Sequence, residues 1–153
     1  MALLALSSGA GASTKSTAHA VRAWAHAHQK AVTALGNAVY AFSGTLTAGE
    51  PQCGALVGAL GNVSRLPRIP SAAIRTTWKQ GLVDLSGGAS ICSVMTTVTE
   101  RNEAIADLEN GAAAFKSAVR AMGKDGVSFH FRKPAASATT TTTKPRPPVT
   151  TTT

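Results

Sequence analysis

Three histidines and one tyrosine on the first predicted helix could, by their chemistry, ligate a metal or haem in this 153-residue chain. They are His19, His26, His28 and Tyr40. His26 and His28 are two positions apart and point in different directions, whereas His19 and His26 share a helix face but lie two turns apart. Neither pair completes a metal site without a ligand from another element. Helical bundles do hold haem between facing helices, but this pattern is more typical of solvated or core-packed histidines, so we predict no metal and no cofactor.

An acidic stripe on the last predicted helix is the second candidate for chemistry. It consists of Glu100, Glu103 and Asp107. Paired carboxylates perform acid–base catalysis only where burial or a neighbour separates their pKa values, and these lie among polar residues near a helix start, where acids suit the dipole. Asp84 is expected to pair with Arg75 or Lys79. The sequence also lacks a glycine-rich phosphate loop and a nucleophile elbow, so we predict no catalytic residues and no enzymatic activity.

Apolar residues that recur every three or four positions predict four helices. The predicted helices span residues 17–43, 51–63, about 71–96 and about 98–122. Pro70 is expected in the first turn of the third helix. The pair Gly87-Gly88 costs that helix roughly 2 kcal/mol against alanine, yet we expect the helix to continue through it. Thr97 and Glu100 predict a capping box for the fourth helix, and Gly123 is its expected end.

A connector of residues 64–70 joins the second and third helices, and its two prolines favour an extended backbone. The motif around it reads Leu66-Pro67-Arg68-Ile69-Pro70, then Trp78, Leu82, Asp84 and Cys92. This pattern resembles one in small secreted or lipid-anchored proteins of actinobacteria. The resemblance spans roughly residues 53–122, and Arg68 and Ser71 stand where the pattern has proline and an acid. It implies a helical bundle with one disulfide in an exported protein, and it brings no established activity with it.

Cys53 and Cys92 are the two cysteines of the chain. In an exported protein, two cysteines most simply form one disulfide, and the geometry permits it if the second and third helices are antiparallel. A covalent staple would help the core, because only 5% of the residues are aromatic and much of the 44% hydrophobic content is alanine. The alternative is two separately buried thiols. The cysteine spacing matches neither a redox Cys-x-x-Cys motif nor a zinc pattern.

The two ends of the chain differ in composition from its middle. Residues 1–12 look like the end of a secretory signal peptide with a small-residue cleavage pattern at residues 10–12. The basic start of such a peptide is expected upstream, and a frayed, alanine-rich terminus is the alternative. Residues 13–131 form the predicted helical domain, in which the alternating residues 127–131 are expected to pack as an extended flap. Residues 132–153, rich in threonine and proline, are predicted to be disordered, and no segment is long and apolar enough for a transmembrane helix.

The net charge of +8 is unevenly placed along the sequence. Residues 123–153 hold five basic residues and one acidic residue, and therefore half of the net charge. A basic tail can bind nucleic acid, anionic lipid or an acidic envelope polymer. Threonines separate these charges, so we expect no specific nucleic-acid binding. The tail is predicted to act as a spacer or as a site for O-linked sugar.

These features predict an all-α fold, a four-helix bundle stapled by one disulfide and followed by a disordered tail. The expected function is that of an exported, non-catalytic module that binds an envelope protein or polymer. Two alternatives stay open. One is a carrier that holds haem or lipid between the first and fourth helices, near His28, Tyr40, Phe42 and Phe115. The other is a basic cytoplasmic protein that binds nucleic acid through its tail.

Overall fold

The computed structural model describes residues 10–42 and 51–132. Its four helices are α1 (Ala10–Ala41), α2 (Pro51–Val63), α3 (Ala72–Val94) and α4 (Val98–Lys124). No strand occurs in these two ranges, so the predicted all-α fold is confirmed. No helix in them is long and apolar enough to cross a membrane. Residues 1–9 of the predicted signal remnant and the predicted tail from residue 133 onward lie outside the described residues.

The start of α1 and the place of Pro70 differ from the prediction. Helix α1 begins at Ala10, seven residues earlier than predicted, because no proline interrupts the alanine-rich stretch before residue 17. It therefore includes residues 10–12 of the predicted cleavage pattern. Helix α3 begins at Ala72, because the Ser71 hydroxyl accepts the backbone N–H of Ile74 and acts as the N-cap. Pro70 precedes this cap, so the prediction that it lies in the first turn of the helix is wrong.

The glycines in α3, in α4 and just after α4 show where a helix continues and where the chain turns. Helix α3 continues through Gly87 and Gly88, as predicted. Helix α4 continues through Gly123 to Lys124, so the predicted stop at Gly123 is wrong. The residue that turns the chain is Gly126, whose φ of +85° lies in the left-handed region.

Close packing of α3 against α4 explains why α3 tolerates glycine in its interior. A Cβ atom added at Gly88 would lie 2.6 Å from Leu108 Cγ and 2.8 Å from the Ala104 carbonyl oxygen. On the facing helix, a Cβ atom at Gly111 would lie 2.6 Å from the Leu85 backbone nitrogen. Glycine therefore lets the two backbones approach, and dispersion contacts along the interface offset its low helix propensity.

The buried face of α4 includes small residues, which let α4 approach α3 closely. The buried residues of α4 are Ala104, Leu108, Gly111, Phe115, Ala118 and Met122. Three further apolar residues, Ile105, Ala112 and Val119, are half-buried beside them. Phe115 and Met122 anchor this face, with at most 1% of their surface exposed.

The connector between α2 and α3 inserts one side chain, Ile69, into the core. Ile69 is 2% exposed, and the Trp24 indole N–H of α1 donates to the Pro67 carbonyl at 2.9 Å. The Trp24 ring also meets Trp78 of α3 edge-on, with centroids 6.1 Å apart. A disulfide joins Cys53 of α2 to Cys92 of α3, with Cα atoms 5.9 Å apart. The predicted bridge is confirmed, and α1, α2 and α3 meet around the connector.

Residues 127–132, which we call the C-terminal segment, pack along α1 without regular secondary structure. Their burial alternates as predicted, because Val127, Phe129 and Phe131 are half-buried and the residues between them are exposed. Two hydrogen bonds hold this region to α1. Arg22 Nη1 donates to the Asp125 carbonyl at 3.0 Å, just before the segment, and the Arg132 backbone N–H donates to Asn37 Oδ1 at 2.7 Å.

The same glycine-to-alanine change is predicted to have opposite effects on stability at two positions. Gly111→Ala should lower the free energy of unfolding by about 1–3 kcal/mol, because its new methyl group overlaps α3. Gly58→Ala in α2 should raise it by about 1 kcal/mol, because nothing lies within 4 Å of the new methyl group and alanine favours the helix. Urea unfolding followed by circular dichroism measures both. Equal stabilisation by the two substitutions would contradict the close α3–α4 packing.

Candidate functional site

Tyr40 and Phe115, two of the four residues predicted to bind a ligand, line one cavity of about 230 Å³. The cavity lies beside α1 and α4, and Lys116 and Phe131 also line it. Lys116 Nζ lies 5.0 Å from the centre of the Tyr40 ring, in a cation–π contact. The side chains that line this cavity, here called the Tyr40 cavity, thus combine aromatic surface with positive charge.

Phe131 of the C-terminal segment occupies the space next to α1 and α4 in which the ligand was predicted. Its ring stacks on Tyr40 with centroids 5.5 Å apart and lies 6.0 Å from the Phe115 ring. Gly36 of α1 makes room for it, because a Cβ atom at this position would overlap the Phe131 ring. The protein therefore fills much of this groove with its own side chain.

The other two predicted ligand residues are placed differently. His28 is half-buried and meets the Trp24 ring edge-on, with centroids 5.1 Å apart. It precedes Tyr40 by twelve residues, which is about 18 Å along a helix. Phe42 is half-buried against the core and does not line the Tyr40 cavity. The structure therefore brings Tyr40 and Phe115 together and leaves His28 at a separate site.

The remaining candidates for metal binding do not converge within the described ranges. His19 and His26 are both exposed on α1. No group of three histidine, cysteine or acidic residues that could hold a metal ion occurs in residues 10–42 and 51–132.

Glu100 of the acidic stripe caps its own helix. Its carboxylate accepts the backbone N–H groups of Thr96 at 2.7 Å and Thr97 at 2.9 Å, and the Thr97 hydroxyl accepts the Glu100 N–H at 3.2 Å. These bonds confirm the predicted capping box. The backbone N–H groups of Thr96 and then Thr97 lower the pKa of Glu100 below its usual value, because they stabilise the ionised carboxylate. This carboxylate is engaged in holding the turn between α3 and α4.

Asp84 accepts a hydrogen bond from Gln80 Nε2 at 2.8 Å. The predicted partners, Arg75 and Lys79, line a cleft between the connector and α3 that Asp84 does not line. The predicted pairing of Asp84 is therefore wrong. Gln80 precedes Asp84 by four residues and therefore shares its helix face. Lys79 is five residues away, and its side chain points elsewhere.

A cleft of about 310 Å³ between the connector and α3, here called the connector cleft, was missed at the level of sequence. Leu66, Trp78 and Leu82 contribute apolar surface to it, and Arg68, Arg75 and Lys79 contribute positive charge. None of the residues that line it is acidic. It is larger than the Tyr40 cavity and lies within the range of known ligand sites.

Local structure places the three cations along the connector cleft. Arg68 is exposed and lies one residue after Pro67 and two before Pro70, so the backbone around it is restricted. Arg75 Nη1 donates to the Ile69 carbonyl at 3.0 Å, which orients its guanidinium. Lys79 follows Arg75 by four residues and therefore lies on the same face of α3.

One sequence signal could have located the connector cleft. Residues 51–83 contain four basic residues and no acidic residue. Such a run is readable from the sequence, but it does not show that three of the four cations converge on one apolar surface. That convergence depends on the path of the connector.

No protein-family model, no curated protein and no solved structure matches this chain. The resemblance of the connector motif to secreted actinobacterial proteins stays a prediction.

The contact between Gly36 and Phe131 predicts a strong coupling between two substitutions. Gly36→Ala should destabilise the protein, because its methyl group displaces the Phe131 ring. Phe131→Ala should cost about 2 kcal/mol, since the ring is half-buried against Tyr40 and Phe115. In the Phe131→Ala background, Gly36→Ala should become neutral or stabilising, with a coupling energy of about 1–3 kcal/mol.

Urea unfolding of the wild type, the two single variants and the double variant measures this coupling. Gly58→Ala, which has no side chain opposite it, is the matched control and should add independently to Phe131→Ala. If Gly36→Ala had the same effect in both backgrounds, Phe131 would not occupy the groove.

Proposed function

We propose that this chain is an exported, non-catalytic helical module that binds a partner in the cell envelope or the medium. The observation that carries the proposal is the disulfide between Cys53 and Cys92. Disulfides persist in oxidising compartments and are rare in the reducing cytoplasm. The bridge therefore favours a site of action outside the cytoplasm.

The amount by which the bridge stabilises the folded state also supports a site of action outside the cytoplasm. The cysteines are 39 residues apart, and closing such a loop stabilises the folded state by about 4 kcal/mol in the chain-entropy model. A typical domain has a net stability of only about 5–15 kcal/mol. A chain of this kind would lose a large part of its stability in a reducing compartment.

The engaged polar side chains of the described residues favour binding over catalysis. Glu100 caps α4, Trp24 holds the connector, and Arg22 and Asn37 hold the region around the C-terminal segment. Each of these groups bonds to backbone atoms and stabilises the fold. The surface left for a partner consists of basic side chains beside half-buried apolar ones, which suits recognition.

Export and oxidation are tested together by intact-mass measurement. The gene, extended upstream, is expressed in an actinobacterial host, and the chain is recovered separately from the medium and from the cytoplasm. We expect a chain in the medium that starts near Ser13, which shortens α1 by residues 10–12. Its mass should be about 2 Da below the reduced form because the bridge removes two thiol hydrogens.

Alkylation with iodoacetamide, with and without prior reduction, is the control for the thiol state. Only the reduced sample should take up two alkyl groups. A chain that stays inside the cell, starts at Met1 and is alkylated without reduction would overturn the proposal. The basic tail and nucleic-acid binding would then be the better hypothesis.

A further inference from the structure

We infer that the connector cleft binds an anionic amphiphile, a molecule with a carboxylate or phosphate headgroup and an apolar chain. The headgroup would lie against Arg68, Arg75 and Lys79, and the chain would lie along Trp78 and Leu82. The inference rests on the proposed function in treating the chain as a binding module, and it does not depend on where the protein acts.

The first support is a concentration of uncompensated positive charge. Residues 51–83 hold four cations and no acid, and three of these cations line the cleft. Asp84, the next acid along the chain, is hydrogen-bonded to Gln80 and does not line the cleft. An anion bound here would meet several cations and no opposing carboxylate.

The second support is that Arg75 lies close to the positive end of the dipole of its own helix. Arg75 is the fourth residue of α3, and the first turn of α3 contains no acidic residue. The positive end of a helix dipole disfavours a cation near the N-terminus and favours an anion. A bound carboxylate or phosphate would relieve this unfavourable arrangement, and arginine suits such groups because it can donate two hydrogen bonds in parallel.

The third support is the apolar surface beside the charge. Trp78, which is 6% exposed, lines the cleft together with the half-buried Leu66 and Leu82. A small inorganic anion would leave this surface in contact with water. An amphiphile would cover it, and the volume of about 310 Å³ fits a headgroup with a short alkyl chain.

The cleft is also held in shape before any ligand arrives. The Trp24 indole fixes the Pro67 carbonyl, and Arg75 is fixed by the Ile69 carbonyl. The Cys53–Cys92 bridge ties the helices on either side of the connector together. A preformed site pays less ordering entropy when the ligand binds.

The test uses the full oxidised chain and sodium dodecanoate below its micelle concentration. Binding is followed by calorimetry and by tryptophan fluorescence, since Trp78 lines the cleft and Trp24 contacts the connector. Dodecyl maltoside supplies the same alkyl chain without charge, and acetate supplies the carboxylate without the chain. We expect dodecanoate to bind at least tenfold more tightly than either probe.

A charge-matched pair of variants locates the site. Arg68→Gln/Lys79→Gln should weaken dodecanoate binding about tenfold, because it removes two of the three cations. Lys15→Gln/Lys30→Gln removes the same charge from exposed positions on α1 that line none of the described cavities, and it should leave binding unchanged. Circular dichroism verifies that both variants are folded.

Vesicles distinguish the two sources of such a ligand. If vesicles of phosphatidylglycerol and phosphatidylcholine bind the wild type but not Arg68→Gln/Lys79→Gln, the ligand is a membrane phospholipid. If dodecanoate alone shows this dependence, the ligand is a free fatty acid. Equal binding of dodecanoate and dodecyl maltoside, equal weakening in both variants, or no binding of any probe would overturn the inference. None of these outcomes bears on export or on the disulfide, which the intact-mass measurement tests separately.

Discussion

The disulfide between Cys53 and Cys92 is the constraint on which the rest of the structure depends. The core contains few large side chains, because much of the hydrophobic content is alanine and only 5% of the residues are aromatic. Two devices compensate for this shortage. Glycine and alanine bring α3 and α4 into direct backbone contact, and the bridge holds α2 against α3 at a Cα separation of 5.9 Å. The bridge also lowers the entropy of the unfolded chain, which a small core cannot do.

The same bridge links the fold to the proposed function. The loop that it closes includes the connector, so the bridge limits how far α2 and α3 can separate around the connector cleft. A series of aromatic contacts also crosses the molecule, from Trp24 to Trp78, then to Phe115 and Phe131. The C-terminal segment completes the sequence of contacts by placing Phe131 over Gly36. A small domain thus obtains a rigid surface from a few large side chains and one covalent bond.

Much of the fold was predictable from the sequence because it depends on local patterns. Helical periodicity, the Thr97–Glu100 box and the alternation in residues 127–131 all concern neighbours along the chain. Contacts between distant residues were not predictable in this way. Gly88 costs its helix free energy locally, and only the facing backbone of α4 shows why it is tolerated. Phe131 likewise lies in the groove beside α1 and α4 that one alternative assigned to a ligand, although it follows Tyr40 by 91 residues along the chain. The convergence of Arg68, Arg75 and Lys79 likewise depends on the path of the connector, which no spacing rule describes.

The most direct test of this account is the free energy of unfolding of the oxidised chain and of the same chain kept reduced. Urea unfolding measures both under identical conditions, and thiol alkylation of each sample verifies its redox state. The account predicts that reduction lowers the free energy of unfolding by about 4 kcal/mol and exposes Trp78 at lower urea concentrations. Equal stability of the two forms would contradict it. The core would then hold without the bridge, and the disulfide would no longer argue for an oxidising compartment.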